Sequence, residues 1–398
     1  MKGALEGIRI LDLTQMLAGP YGSMLMGDLG AEIIKLEPPG GDESRYTPPY
    51  FYGKDSAYFW SLNKSKKSIV VNLKNPEGLK IFYELVAQSD VVLENYRPGV
   101  TERLKIDYPT LKQHNPKIIH CSISAFGYNG PYRNRPGYDL IVQAMGGGMS
   151  ITGEPGRPPV RAGIPIGDLM GGALAVQGIL AAYISRQKTG KGQWIDISLL
   201  EGQLSLLTYV AQYFFHSGKV PGPIGSGHQT SIIYQSFKTK DIHIVVTALQ
   251  DHHFKIFCQA IGKPEWAEDP RFATRPARLE NRTTLIPMIE KILLTRSGDE
   301  WMEKFHEAGI PAGPINTLDR VFSDPHVLSR GIIKELEGPS GERVKTIGNP
   351  LRMSETPPKE KRPPRVGEHT REVLSTILGY APDKIDSLAK AGVVQCGR

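Results

Sequence analysis

The chain of 398 residues predicts an α/β protein, with a mainly parallel sheet flanked by helices and a second, smaller α+β domain in the middle of the chain. Three observations carry this. Short β-rich apolar runs alternate with helical patterns through the first half. A Gly/Pro-rich link from Gly218 to Gly227 then leads into a segment reading strand, strand, several helices. A Pro-rich arm, Pro350 to Pro364, precedes a closing helix.

Strand patterns cover 7–14, 31–37, 68–73, 90–96 and 117–124; helical patterns cover 22–29, 76–88 and 109–114. Pro76 suits a first helical turn, where its missing N–H has no partner to lose. Glu77 complements the positive helix end, and Leu79, Phe82, Tyr83, Leu85 and Val86 share one face. An apolar helix runs from near Asp168 to about Arg186, the turn Lys188 to Gly192 feeds a strand at 193–199, and another apolar helix extends from Glu201 to His216. Beyond the link, strands at 236–240 and 243–248 are followed by helices around 253–261, 284–294 and 299–309, and Val366 to Thr370 caps the last helix.

With 40% hydrophobic and 22% charged residues, the composition is that of an ordinary globular protein. The start of the chain enters a strand pattern without an apolar or Arg/Ser-rich leader, and no window approaches about 18 uninterrupted apolar residues. A cytoplasmic protein without membrane attachment is expected. Cys121, Cys258 and Cys396 are far apart and lack metal or disulfide spacing, which fits a reducing compartment. The net charge of +7 favours an anionic partner, but the basic runs are short and scattered. They suit a small polyanion better than a nucleic acid, for which no motif appears.

The most informative stretch is Val160 to Gly172, which sets Asp168 among Gly163, Gly167, Gly171 and Gly172 at the mouth of an apolar helix. Unpaired N–H groups in a first helical turn favour an ionised carboxylate, and flanking glycines let substrate approach. An ionised Asp168 is a candidate nucleophile; the competing reading is an ordinary N-cap. Other chemistries weaken by absence: there is no Gly-x-Ser-x-Gly elbow, no Walker loop, and no Gly-x-Gly-x-x-Gly after the first strand. Gly146-Gly147-Gly148 reads as a flexible loop, and His252-His253 lack partners spaced for a metal.

Several ordered motifs together resemble the family III CoA-transferases, also called the CaiB/BaiF family. They are Leu5 to Thr14 with Ala18-Gly19-Pro20, Leu29 to Glu37, Glu94 to Gly99, Pro136 to Asp139, Gly167-Asp168, Thr189 to Asp196 and Gly367 to Thr370. The resemblance implies CoA transfer from an acyl-CoA to a free carboxylic acid, through anhydride and aspartyl-CoA thioester intermediates on Asp168, with CoA as cosubstrate and no permanently bound cofactor or metal. It also implies that Asn95, Tyr96 and Arg103 line the CoA groove, with Lys35 and Lys64 or Lys66 meeting its phosphates. Gly167, Gly171 and Gly172 are expected to expose N–H groups to an oxyanion.

The resemblance further implies a large Rossmann-like domain built from both chain ends, 1–205 and 330–398, a small domain at 225–325, linkers at 206–224 and 326–335, and an interlocked homodimer. Tyr138 and Asp139 fall where the family's α-methylacyl-CoA racemases carry a His-Asp pair. A tyrosine, with an ordinary pKa of about 10, is a poor base at neutral pH, so a racemase is the alternative rather than the reading. A noncatalytic subunit of a heteromeric transferase is the other alternative, and the intact Asp168 argues against it. Formyl-CoA transferases carry glutamine at Leu17 and glycines at Ala248 to Asp251, which disfavours an oxalate/formate pair here. The overall pattern looks closest to members using succinyl-CoA or another dicarboxyl-CoA. A distal carboxylate needs a cation, for which Arg161 is the candidate, with His228 a second substrate contact.

Overall fold

The computed structural model describes residues 2–397. The chain divides into two compact units, one formed by Met1–Gly148, Arg161–His216 and Ser329–Arg398, the other by Met149–Val160 and Ser217–Leu328. The large domain expected over 1–205 includes 149–160. In the structure this segment belongs with the second unit, where the Gly225 N–H donates to the Gly153 carbonyl at 2.8 Å.

The first unit is built on a seven-stranded sheet in the order Val394–Gln395, Lys66–Val71, Glu32–Glu37, Arg9–Asp12, Val91–Glu94, Ile119–Ser124, Trp194–Ser198. All neighbours are parallel except the C-terminal strand, which pairs antiparallel with Lys66–Val71. Both faces are buried, so alternate residues feed opposite cores. Leu11, Ile34 and Val92 pack against Phe82 and Leu85 on one side; Ile10, Ile33 and Val91 pack with Ala175 and Ile179 on the other. Omitting the C-terminal strand, the order is that of a doubly wound dinucleotide-binding sheet. Its direction of winding reverses between Arg9–Asp12 and Val91–Glu94, and a crevice opens there at the carboxyl ends of the strands.

Local chemistry sets the elements around that crevice. The helix Pro76–Ala87 begins as expected, with the Asn75 side chain accepting from the Glu77 N–H at 2.9 Å. The helix Ile166–Thr189 packs on the helix Ala18–Asp28 through glycine: a Cβ on Gly172 would lie 2.4 Å from the Ala18 carbonyl oxygen, and one on Gly22 would lie 2.7 Å from the Gly172 carbonyl oxygen. It is long and apolar enough by composition alone to cross a membrane, and its Gly171, Ala175, Ile179, Ala182 face is buried in this unit. The single helix expected over Glu201 to His216 is two, Leu199–Ser205 and Thr208–Ser217, because Thr208 takes φ +40 and breaks the run.

The Pro-rich arm lies along the first unit, where the Lys359 N–H donates to the Asp28 carbonyl (2.8 Å) and the Ser65 N–H to that of Lys361 (2.9 Å). After it come Thr370–Thr376, and then a helix, Pro382–Lys390, and the edge strand, neither of which the sequence reading contained. The second unit packs strands Tyr234–Lys238, His243–Thr247 and Ala312–Pro314 against helices Asp251–Ala260, Arg282–Leu293 and Gly298–Glu307 around Phe237, Phe257, Leu285 and Trp301.

Candidate active site

Two cavities meet at the crevice. One, of about 320 Å³, is lined by Gln15 to Ala18, Asn95, Tyr96, Ser124, Tyr138 and Asp168; the other, of about 510 Å³, by Pro38, Asn72, Lys74, Arg103 and Leu104. Gln15, Tyr96 and Val100 line both, so they form one cleft, with Asp168 and Arg97 in the first cavity and the cations Lys74 and Arg103 in the second. The chain reaches the cleft where the strands Arg9–Asp12 and Val91–Glu94 end, each handing over to a loop that forms a wall.

These two loops are tied together. The Asn95 side-chain amide accepts from the Gln15 N–H (2.9 Å) and donates to the Gln15 carbonyl (2.8 Å), copying a strand pairing between them. The next residue, Met16, is held at φ +66 and lines the cleft, an uncommon conformation for a side chain with a Cβ. Asn95 is therefore committed to shaping the wall. Tyr96 and Arg103 present themselves to the cavities directly.

Asp168 is the third residue of its helix, with Pro165 rather than Asp168 in the N-cap position, so the ordinary N-cap reading does not hold. The expectation that the helix end holds Asp168 ionised is also corrected. Asp139, itself in the first turn of Asp139–Met145, takes the helix end instead. Its Oδ1 accepts from the N–H groups of Gly167 (2.8 Å) and Asp168 (3.3 Å), while Oδ2 accepts from Gln143 Nε2 (2.6 Å). Gln143 Oε1 in turn accepts from the Ala162 N–H at 3.0 Å, bracing the approach to the helix. Burial, together with the neighbouring Asp139 carboxylate, lifts the Asp168 pKa to about 7. Tyr58, which no motif marks, is pushed up to about 12 by burial and by the charges of Asp168, Asp42 and Asp139.

The oxyanion assignment to glycine fails on geometry. The Gly167 N–H is given to Asp139, and Gly171 and Gly172 lie inside the helix, where the absence of a Cβ allows close packing; a Cβ on Gly171 would sit 2.3 Å from Leu199 Cδ2.

Lys35 and Lys64 are likewise corrected as phosphate ligands. Lys35 is buried, donating to the Thr14 carbonyl (2.8 Å) and pairing with Asp42 (2.7 Å). Although burial acts to lower its pKa, the carboxylates of Asp42, Asp12 and Glu37 hold it above the ordinary lysine value. Lys64 is buried against Asp28. Lys66 pairs with Asp12 at 3.0 Å, and burial brings it down to about 8. None of the three lines the cleft. Lys64 and Lys66 sit in a lysine-rich run that reads as surface charge, and their partners Asp28 and Asp12 are far along the chain; Asp42 is close to Lys35 in sequence, but nothing local marks the pair as buried.

Tyr138 is exposed at the cleft, whereas Arg161 is exposed outside its lining. His228 belongs to the second unit, where its Nδ1 accepts from the Thr230 N–H (3.2 Å) and its carbonyl from Arg282 (2.6 Å). Among the described residues no group of three or more His, Cys, Asp or Glu is placed to hold a metal ion.

Comparison with known proteins gives the cleft its context. Residues 5–370 match CoA-transferase family III. The chain is 40% identical over 392 residues to human succinyl-CoA:glutarate CoA-transferase, covering 98% of this chain and 90% of that one. It is 36% identical over 396 residues to the succinyl-CoA:mesaconate CoA-transferase of Haloarcula hispanica, covering 97% and 99%. A crystal structure of a CaiB/BaiF family protein from Brucella suis superimposes with a TM-score of 0.86 at 36% identity, covering 95% of this chain and all of that one. With a cleft at the switch point of the sheet and a match along nearly its whole length, the chain belongs to CoA-transferase family III, whose chemistry is CoA transfer between an acyl-CoA and a carboxylic acid.

Proposed function

We propose that the protein moves CoA from succinyl-CoA to a second small dicarboxylic acid, with Asp168 as the covalent relay. The observation that carries this reading is that Asp168 lines one cavity of a cleft whose adjoining cavity holds Arg103 and Lys74, with Arg97 on the Asp168 side. The cations suit the phosphates of CoA, Tyr96 lies between, and the thioester reaches Asp168. The dicarboxylate assignment rests on relatives that use succinyl-CoA with glutarate and with mesaconate.

The exchange follows from the carboxylate. Asp168 oxygen attacks the thioester carbonyl, a C–O bond forms, the C–S bond breaks, and CoA leaves as thiolate with an acyl-aspartyl anhydride behind. The thiolate attacks the Asp168 carbonyl of that anhydride and releases the donor acid, giving the aspartyl-CoA thioester. The acceptor carboxylate displaces the thiolate to form a second anhydride, and the thiolate then attacks the acceptor's acyl carbon and frees Asp168. A pKa near 7 leaves Asp168 more basic than a solvated aspartate, while a substantial fraction is still ionised at neutral pH. Each tetrahedral step needs donors. The helix Ala18–Asp28 starts without a side-chain cap at Leu17, and its first N–H groups are our candidates for that role.

Asp139 acts through Asp168 as a positioning residue. Its engagement at the helix end gives no support to α-proton transfer by a Tyr138-Asp139 pair. Arg161 is retained as the candidate contact for the distal carboxylate of the acceptor, and His228, in the other unit, as a separate candidate substrate contact. A cytoplasmic homodimer completes the reading: no residue of the helix Thr208–Ser217 is buried, and Tyr209, Tyr213, Phe214 and Phe215 are exposed together.

The test is intact mass spectrometry after mixing with succinyl-CoA, with hydroxylamine or borohydride quenching and peptide mapping. A donor-dependent change on the Asp168 peptide, absent from Asp168→Asn, is expected. Labelling only by other acyl-CoAs would discard the donor; exchange that survives Asp168→Ala would discard the relay.

A further inference from the structure

A second carboxyl, outside the chemistry above, lies under the cleft wall. Glu94 is the last residue of its strand and fully buried. Its Oε2 accepts from the Tyr96 N–H at 2.7 Å and its Oε1 from the Tyr128 hydroxyl at 3.1 Å, while Ser122, its register partner on the next strand, is a further donor. Among the described residues no lysine or arginine is paired with it. His120, on the same face of that next strand, has its Nε2 3.7 Å from Glu94 Oε1, and neither of its ring nitrogens has a hydrogen-bond partner among the described residues. Burial holds His120 down at about 4, so it is a neutral ring with an acceptor nitrogen, and burial lifts Glu94 to about 7. The other groups around this pocket are Thr101 and Glu102 on the helix Val100–Leu104, Asp107, whose charge acts on His120, and Asp196, the register partner of Ser122 on the following strand, which accepts from the Tyr128 N–H; Cys121 and Asp12 alternate to the other face of the sheet.

We propose that Glu94 is a positioning residue for the acyl-CoA cleft: its carboxylate fixes the Asn95-Tyr96 turn through the Tyr96 amide, and His120 is the alternative partner that draws it away. This rests on the reading of the cleft as the CoA site. Ionised, Glu94 is purely an acceptor and is satisfied by Tyr96, Tyr128 and Ser122. Protonated, its hydroxyl must donate, and His120 Nε2 is the orphaned acceptor within a small movement. That bond places the proton on Oε1, turns away the Tyr128 hydroxyl, rotates the carboxyl and loosens Oε2 from Tyr96. Because Tyr96 lines both cavities and Asn95 clamps Gln15, a change at Glu94 reaches both walls of the cleft. The ionised form is thus the one that presents an ordered CoA wall.

The experiment measures CoA binding by calorimetry from about pH 5.5 to 8.5 in Asp168→Asn and in Asp168→Asn/Glu94→Gln, so that Asp168's titration is absent and CoA's own ionisation cancels. Losing one charge-assisted hydrogen bond corresponds to about tenfold in affinity. The two proteins should bind alike at the acidic end, and the double variant should bind about tenfold more weakly at the basic end. In Glu94→Gln alone, KM for the acyl-CoA should rise by about the same factor with kcat nearly unchanged. Tyr128→Phe in the Asp168→Asn background removes one donor to the carboxylate and should move the pH midpoint upward. Identical binding by both proteins at every pH, or an unmoved midpoint with Tyr128→Phe, overturns the inference. Should Glu94→Gln fail to fold, Tyr128→Phe decides alone. An Asp168→Asn protein that binds no CoA at any pH removes the cleft reading and this inference with it.

Discussion

Two carboxylates compete for one helix end, and the one without chemistry wins it. Asp139 accepts both N–H groups, and Asp168 carries the cost of burial in a raised pKa. The linkage has a definite sign. Between the ordinary aspartate value of 3.8 and about 7, the folded protein holds a proton that the unfolded chain has released, so stability from this site falls as pH rises through that window and is level above it. Asp168→Asn should therefore outlast the wild type in thermal melts by a margin that grows from about pH 4 to pH 7. The gain should reach at most about 3 kcal/mol, allowing for solvent screening of this half-buried group. A margin that does not change over that window would mean that Asp168 is ionised throughout. Asp139→Asn removes the neighbouring charge and should move the acidic limb of the kcat/KM profile downward by about one pH unit, at a folding cost of about 1–3 kcal/mol for the mismatched Gln143 contact.

At the scale of elements, what was legible follows from local patterning and what was not follows from distance along the chain. The six parallel strands could be read because each is a short β-branched run bounded by turns, and Asn75-Pro76-Glu77 writes a helix start in adjacent residues. The Asp139 cap could not be read, since it lies 28 residues from Gly167 and is brought there by packing of Val142 against the same helix. Lys64 is hidden for the same reason, its partner Asp28 lying 36 residues away, whereas Asp42 is near Lys35 in sequence and it is the burial of that pair that periodicity does not encode. The glycines of the Asp168 helix serve packing rather than an oxyanion. Their role as a close-packing seam predicts an order of sensitivity. Gly172→Ala drives a Cβ to 2.4 Å from backbone oxygen, whereas Gly171→Ala meets only the tip of Leu199 at 2.3 Å. Gly172→Ala should lose about 1–3 kcal/mol in denaturant melts and most of the exchange activity, and Gly171→Ala distinctly less. Equal losses would count against the seam.

For the molecule as a whole, the exposed aromatic side chains of Thr208–Ser217 are the feature that a single chain leaves unexplained, and the proposed homodimer accounts for them. Light scattering coupled to size exclusion should give a dimer of about twice 43.9 kDa, and Tyr213→Asp with Phe214→Asp should shift it toward monomer with loss of activity. A dimer unaffected by that pair would place the interface elsewhere. The last strand, Val394–Gln395, has a consequence of another kind. It is only two residues long, yet it occupies the open side of Lys66–Val71, whose Ile69, Val70 and Val71 are buried. It acts as a stopper on a surface otherwise ready to recruit any passing strand. A chain cut after Gly392 should keep its fold but turn cloudy on storage, and turbidity against the full-length protein would show whether these few residues guard solubility.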